Sequence, residues 1–297
     1  MDLDRLETFL LLAELKSFTE VAQQLFISQP AVSKQLKSLE KELGVPLFNR
    51  VGQKNYLTIQ GKSFVQYAKS ILNTYAIAKE HILQIENIEE GNIRFGATNF
   101  IGVYLLPRLI SEFRNEFPSI ELNFKISSSN KLLKEFDKES IEFAFMSGYV
   151  DFPKETFTKR KIFEDELQVI VSSKHALSDR TSISLSEIQN ETFILKDSTS
   201  SLNKFLLERI GDDFLDNKNI LTISNQEGIK EAVVQNLGIS FLSTRAIKYE
   251  LELGHLKALT LKDYNLKRDI NLVYKNTHAL TPAAEAFINV IDNPTHD

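Results

Sequence analysis

Two groups of residues in this chain have the types and spacing to do chemistry. The first is Ser28-Gln29-Pro30-Ala31, followed at helical spacing by Ser33, Lys34 and Lys37, with Arg50 and Lys54 a little further on. Hydroxyl, amide and ammonium groups arranged this way donate hydrogen bonds to base edges and phosphates. Ser28, Gln29, Ser33, Lys34, Lys37, Arg50 and Lys54 are therefore the candidate DNA-binding residues. The second group is four clusters of small hydroxyl and amide side chains: Thr98-Asn99, Ser127-Ser128-Ser129-Asn130, Ser198-Thr199-Ser200-Ser201 and Ser224-Asn225. Each precedes a predicted helix, where unpaired backbone N–H groups and the helix dipole favour an anion. A single cluster of this kind is also what an ordinary N-cap needs. Four in one domain point to a pocket for a small anionic molecule.

The elements that position the first group read from local signals. Ser17-Phe18-Thr19-Glu20 has capping-box spacing, so a helix starts there and carries Val21, Ala22 and Leu25 on one face. Ser28 is a second N-cap, Pro30 suits a first helical turn, and Gly44 stops the helix. Val32, Leu36, Leu39 and Leu43 form its buried face, leaving the DNA-facing set on the other. The pattern is a helix-turn-helix, although an ordinary helical hairpin with a solvated face has the same local signals. Electrostatics separates the two. From Leu43 to Lys79 there is no acidic residue, while Arg50, Lys54, Lys62, Lys69 and Lys79 are all cationic, inside a chain of net charge -5. Such a one-signed run is a footprint for phosphate. Within it, Val45 to Leu57 reads as a hairpin wing, with Val51 to Asn55 as its turn, Arg50 at its base and Lys54 at its tip.

After Thr58, a plausible N-cap, Phe64, Ala68, Ile71, Tyr75, Ala78, Ile82 and Ile85 keep a heptad spacing. A helix of about 30 residues would be ~45 Å long, and its narrow apolar stripe calls for a partner helix. Packing onto its own domain is the alternative. The periodicity favours dimerisation, and hence a target of inverted-repeat half-sites spaced by whole turns of DNA.

From about Glu89 the chain changes to alternating strands and helices. Strands are predicted at Ile93–Ala97, Ile120–Ile126, Ile141–Met146, Leu167–Ser172, Thr192–Leu195, Ile239–Leu242 and Ile270–Tyr274. Helices are predicted at Val103–Phe117, Lys131–Glu139, Leu202–Ile210, Asn225–Gln235, Thr244–Leu251 and Pro282–Ile291. This is long enough for two α/β lobes with a cleft between them. Open α/β sheets bind ligands beyond the carboxyl ends of their strands, where the four clusters fall.

The run from Phe9 to Arg50, with Ser17-Phe18-Thr19, Ser28-Gln29-Pro30-Ala31-Val32-Ser33, Leu43-Gly44 and Pro46-Leu47-Phe48-Asn49-Arg50, resembles the LysR-type transcriptional regulators. Weaker likeness continues through Gly96-Ala97-Thr98, Tyr104-Leu105-Leu106-Pro107, Phe117-Pro118-Ser119-Ile120-Glu121 and Val233 to Ser240, so it spans nearly the whole chain. The resemblance implies a winged helix-turn-helix over residues 1–58, a linker and dimerisation helix over 59–88, and a two-lobed, periplasmic-binding-protein-like effector domain over 89–297. Lobe one would take residues 89–163 and 267–297, and lobe two 164–266. It implies DNA contacts from Gln29, Pro30, Ser33, Lys34 and Arg50, with Lys34 where many members carry arginine. It also implies a pocket lined by Thr98, Phe100 through its backbone, Ser129, Gly148, Thr199, Ser200 and Asn225, to which the clusters add Asn99 and Ser128. Members tied to sulfur or carbon assimilation, with small anionic effectors, are the nearest in look. A homodimer or homotetramer that engages the transcription machinery is the implied assembly.

Absences narrow the classes further. There is no cysteine, which removes a thiol switch and any thiolate metal site. His81, His175, His255, His278 and His296 are too scattered for a metal, and no phosphate loop, dinucleotide fingerprint or nucleophile elbow occurs. No catalytic residues, metal or cofactor are expected. Charges within Met1 to Leu12 break any signal segment, and no long uncharged apolar run follows, so a cytoplasmic location without membrane contact is expected. The competing class is a small-molecule-binding protein or enzyme whose N-terminal helices only oligomerise it.

Overall fold

Local capping sets the first elements. In the computed structural model, which describes residues 2–51, 54–86, 91–138, 140–147, 155–211, 219–276 and 280–292, α1 (Leu3–Leu15), α2 (Phe18–Gln24) and α3 (Gln29–Leu43) follow Asp2, Ser17 and Ser28. Each of these cap side chains accepts a backbone N–H, from Asp4, Glu20 and Ala31 respectively. Pro30 lies in the first turn of α3. Gly44 closes the helix at φ 73°, a left-handed conformation that glycine adopts without a Cβ clash. Val32, Leu36 and Leu39 are buried with Leu6, Phe9, Leu12 and Val21. Leu43, expected on that buried face, is 36% exposed, because it sits in the last turn where α3 runs out beyond the core.

The wing is β1 (Phe48–Val51) and β2 (Lys54–Leu57), antiparallel, with Val51 opposite Lys54. The strands thus take in Val51, Lys54 and Asn55, which the sequence pattern assigns to the turn. Glu40 ties the wing to α3: its Oε1 accepts the N–H groups of Leu47 at 2.7 Å and Phe48 at 3.3 Å. Next comes α4 (Ile59–Glu86). Thr58 starts it, accepting the Gly61 N–H at 2.9 Å while its own hydroxyl donates to the Pro46 carbonyl at 2.8 Å. A Cβ at Gly61 would stand 2.1 Å from the Leu47 carbonyl oxygen, so only glycine lets α4 lie this close to the wing.

The heptad seam divides along this helix. Ala68 is fully buried in the chain's own core, with Phe64 and Ile71 packed against it and Phe64 5.2 Å from the Phe9 ring. These three were expected at a partner helix; α1 covers them instead. Tyr75, Ala78, Ile82 and Ile85 remain exposed.

Residues 89–136 and 141–297 form a second compact unit. Its parallel strands β3 (Asn92–Ala97), β4 (Glu121–Ile126) and β5 (Phe143–Ser147) alternate with α5 (Asn99–Tyr104), α6 (Leu106–Glu116) and α7 (Ser129–Asp137). The helix read as Val103–Phe117 is therefore two, broken at Leu105. Pro107 lacks the N–H that would continue the hydrogen-bond ladder back to Val103. Next, β6 (Phe157–Ser172) runs the length of the unit. It leads to β7 (Ser182–Ile183), α8 (Leu185–Ile188), β8 (Phe193–Leu195), α9 (Ser201–Ile210), β9 (Ile220–Thr222), α10 (Gln226–Val234) and β10 (Ser240–Ser243). A 3-10 turn at Thr244–Ile247, α11 (Lys248–Glu252), β11 (Leu256–Leu261), β12 (Lys267–Lys275) and α12 (Pro282–Asp292) complete it.

The main sheet has the order β4-β3-β5-β12-β6-β11-β7, with β10 also on β6. Up to Glu166, β6 pairs with β12; from Leu167 onward it pairs with β10 and β11. One strand thus crosses between two packing centres. On one side Phe95 stacks 5.1 Å from Phe143 among Ile93, Phe113, Phe145 and Phe287. On the other, Val169, Phe193, Phe205, Phe241 and Leu259 cluster. We refer to these as lobes one and two. The first half of β6 was not read from sequence because charged residues interrupt it, and β7, β9 and β11 were also missed.

Candidate functional site

The outer face of α3 and its N-cap carry the helical members of the first group. Ser28, Gln29, Pro30, Lys34 and Lys37 are exposed, and Ser33 is half-buried. The Ser28 oxygen accepts the Ala31 N–H at 3.3 Å, which leaves its O–H free to donate outward. Lys54, opposite Val51, stands at the turn end of the wing as expected, but Arg50, opposite Asn55, is one pair away from it and not at the base, because the strands pair on as far as Val51 and Lys54. Their side chains lie outside the described residues.

Between the lobes is a cleft of about 500 Å³. Lobe one contributes Thr98, Asn99, Phe100, Ile126 and the Ser127 to Lys131 turn; lobe two contributes Lys196, Asp197, Thr199 to Leu202, Lys204 and Ser224 to Gln226. Of the expected pocket residues, Thr98, Asn99, Phe100, Ser128, Ser129, Thr199, Ser200 and Asn225 all line it. Gly148 lies outside the described residues. The lining arises from topology: the carboxyl ends of β3, β4 and β8 and the start of α10 converge where β6 changes partner.

Most of the second group also serves the helices it precedes. Ser200 Oγ accepts the Asn203 N–H at 3.2 Å, and Asn225 Oδ1 accepts the Gly228 N–H at 2.6 Å. The Thr199 hydroxyl donates to Asp197, and its N–H reaches the same carboxylate at 3.1 Å. Thr98 differs: it stands at the N-cap of α5 with no side-chain capping bond.

Charge reaches the cleft through residues that no spacing rule singled out. Lys131, Lys196, Lys204 and Arg268 line it against the carboxylate of Asp197 among the described residues. Burial pushes the Lys196 ammonium below its ordinary pKa, with nearby Asp197 opposing that shift and Arg268 adding to it. The Thr199 hydrogen bonds hold Asp197 below the usual carboxylate range. Arg268 and Asp165 form a buried pair at the floor, with Arg268 Nε and an η nitrogen 2.8 and 2.7 Å from Asp165 Oδ2. The Ser243 hydroxyl donates to Oδ1 at 2.6 Å. This neutralises Arg268, so Lys196 and Lys204, set against the single carboxylate of Asp197, leave the lobe-two wall with an excess of positive charge. Nothing in the sequence could pair Asp165 with Arg268, since their contact depends on β6 and β12 lying side by side.

At one edge the lobes also touch through polar groups. Tyr104, at the end of α5, donates to Glu227 of α10. Lys230 Nζ lies 2.9 Å from Glu227 and 2.8 Å from Glu250, and 5.7 Å from the Tyr104 ring centre. Burial and the Glu227 hydrogen bond push the Tyr104 pKa up to about 12. Burial alone would lower Lys230, but its hydrogen bonds to Glu250 and Glu227 outweigh that and raise it.

Among the described residues no helix is long and apolar enough to cross a membrane. Comparison with known proteins agrees with the two-part construction. Residues 3–62 match the family described as bacterial regulatory helix-turn-helix protein, lysR family, and residues 87–293 match the LysR substrate binding domain. A probable RuBisCO transcriptional regulator of Thalassiosira pseudonana is 32% identical over 295 residues, spanning 97% of this chain and 95% of its own. The HTH-type transcriptional activator CmpR of Synechocystis sp. is 31% identical, spanning 97% and 94%. In structure, a full-length OxyR from Pseudomonas aeruginosa shares the fold, with a TM-score of 0.70 at 21% identity over 99% of this chain and 95% of that one.

Proposed function

The chain belongs to the LysR family of transcriptional regulators, and within that family we propose a cytoplasmic dimer or tetramer that reports on a small anionic effector bound between its lobes. Regulators of this kind are not enzymes, which sets aside the enzyme alternative. The single observation that carries the effector reading is the cleft, whose lobe-two wall brings Lys196 and Lys204 beside helix N-termini. The effector residues are Thr98, Asn99, Phe100, Ser128, Ser129, Thr199, Ser200 and Asn225, with Gly148 nearby in sequence to β5. To these we add Lys196 and Lys204. Similarity to a RuBisCO regulator and to CmpR supports a signal from carbon assimilation.

On the output side, Ser28, Gln29, Pro30, Ser33, Lys34 and Lys37 enter the major groove, and Arg50 and Lys54 of the wing hold the adjacent backbone. The exposed Tyr75, Ala78, Ile82 and Ile85 support helix pairing between two copies. Two copies would read an inverted repeat and present it to the transcription machinery. The domain layout is 1–58, 59–88 and 89–297, with the lobes divided near 163 and 266, where β6 and β12 pass. An effector that binds the closed lobes better than the open ones shifts that balance, and with it the grip of the paired readers on DNA.

Two measurements test this. Affinity for inverted-repeat DNA should fall steeply with salt, as phosphate contacts require, and should weaken in Lys34→Ala and Arg50→Ala. A flat salt dependence would contradict the reader. Sulfate, phosphate and citrate, added singly, should raise the melting temperature if the cleft takes an anion. No shift with any of them would remove the anionic reading.

A further inference from the structure

We propose that Tyr104 on lobe one and Glu227 with Lys230 on lobe two form a latch that sets the resting separation of the lobes, coupled to the cleft floor through Phe100 and Arg268. The contacts form one continuous line. The Arg268 guanidinium lies 4.8 Å from the Phe100 ring centre, the Phe100 and Tyr104 rings are 6.0 Å apart, and Lys230 Nζ is 5.7 Å from the Tyr104 ring. Arg268 and Phe100 line the cleft; Tyr104, Lys230 and Glu250 do not. The line therefore leads from the ligand space to a polar contact outside it.

Its two halves have different partners if the lobes part. Lys230 is 7% exposed and holds Glu250 at 2.8 Å within lobe two, so that pair persists in either state. Tyr104 belongs to the lobe-one core, where it packs beside Phe100 and Ile101. Opening removes the Tyr104 hydroxyl from Glu227 and the Tyr104 ring from Lys230, and leaves a nearly buried ammonium facing a gap. The closed arrangement is thus favoured by a charge-assisted hydrogen bond and a cation–ring contact that exist only across the lobes. A molecule that draws on Arg268 or displaces Phe100 acts on the same line. That this molecule is an anion rests on the function proposed above; the latch itself does not.

The absence of cysteine makes a direct test possible. Lys134→Cys on α7 and Glu208→Cys on α9 place spin labels on exposed positions of the two lobes, outside both the latch and the cleft lining. Pulsed electron spin resonance then reads the lobe separation in the full chain without ligand. One main distance is expected in the labelled parent. Tyr104→Phe, which keeps the ring, and Glu227→Ala, at an exposed position, should each move the balance toward a longer distance by about tenfold, as expected for losing one hydrogen bond to a charged group. Identical distance distributions in parent and both variants would overturn the latch. Adding sulfate, phosphate or citrate separates the two ideas: variants that open while no anion changes the distance leave the latch standing and remove the anionic reading. Anions that close the lobes in chains indifferent to Tyr104 and Glu227 do the reverse.

Discussion

Thr98 on lobe one and Ser200 on lobe two hold the same local position, the N-cap of a helix bordering the cleft, yet they are used differently. Ser200 accepts the Asn203 N–H and so fastens its own helix, as Asn225 does for α10. Thr98 makes no side-chain capping bond and leaves its hydroxyl to the cleft. The charge is divided as unevenly. On lobe two, Lys196 is partly buried against the cleft with Lys204 beside it, whereas the lobe-one wall around Thr98, Asn99 and Ser128 is mainly neutral, with Lys131 at its exposed end. The comparison teaches a division of labour. On the proposed function, lobe two would select for charge and lobe one would complete the hydrogen bonding on closure, while Arg268 and Asp165 join the two strands on which both depend.

Disrupting that shared floor should have the largest effect. Asp165→Ala leaves the Arg268 guanidinium buried without its partner and should cost about 3–5 kcal/mol of stability, read by chemical denaturation, with both walls lost together. A loss below about 1 kcal/mol would mean that the pair carries no structural weight. Next, Lys196→Gln should weaken sulfate, phosphate or citrate binding by about tenfold or more, since it removes a charge-assisted contact. It should not lower the melting temperature, because burial already disfavours that charge. The pair Thr98→Val and Ser200→Ala sharpens the contrast. Ser200→Ala should destabilise lobe two by about 1 kcal/mol through its lost cap. Thr98→Val should spare stability and reduce anion affinity by about fivefold, equivalent to one neutral hydrogen bond. Equal effects of the two on stability would erase the distinction between the walls.

The smallest effect is in pH, where two signs oppose. The folded protein holds Lys196 below its ordinary pKa of 10.5. Anion affinity, which needs the charged form, should therefore decline as pH rises through that lowered value, before ordinary lysines titrate. Stability without ligand should move the other way. The unfolded chain binds this proton more tightly, so its contribution to folding improves between the folded and the unfolded pKa. Lys196→Gln should flatten both trends, measured by calorimetric titration and by thermal denaturation.

The reader was legible because its signals are local. Ser17, Ser28, Pro30 and Gly44 act within one turn of where they stand, and α2 and α3 begin and end there. The heptad over α4 was half-legible. A periodic apolar stripe does not name its partner, and Phe64, Ala68 and Ile71 proved to face the chain's own α1 core. The cleft divides along the same line. Hydroxyl clusters at helix starts could be read from sequence, and eight of the nine pocket residues named from them and from the resemblance line it. Lys196 and Arg268 could not, since their significance comes from tertiary pairing: Arg268 meets Asp165 only because β12 runs beside β6. The charged run in β6 hid its first half for a related reason. Lys159, Arg160 and Lys161 form an unbroken charged run with no apolar alternation to read, and salt bridges such as Lys161 with Asp269 at 2.6 Å replace simple solvent exposure there.

The most direct test of the central claim is a calorimetric titration of the full chain and its Lys196→Gln variant with sulfate, phosphate and citrate at low ionic strength, with a neutral sugar of similar size as control. The account predicts that at least one anion binds the parent chain, that the variant binds it at least about tenfold more weakly, and that the sugar does not bind. Binding of the sugar with none of the anions, or anion binding indifferent to Lys196, would contradict it.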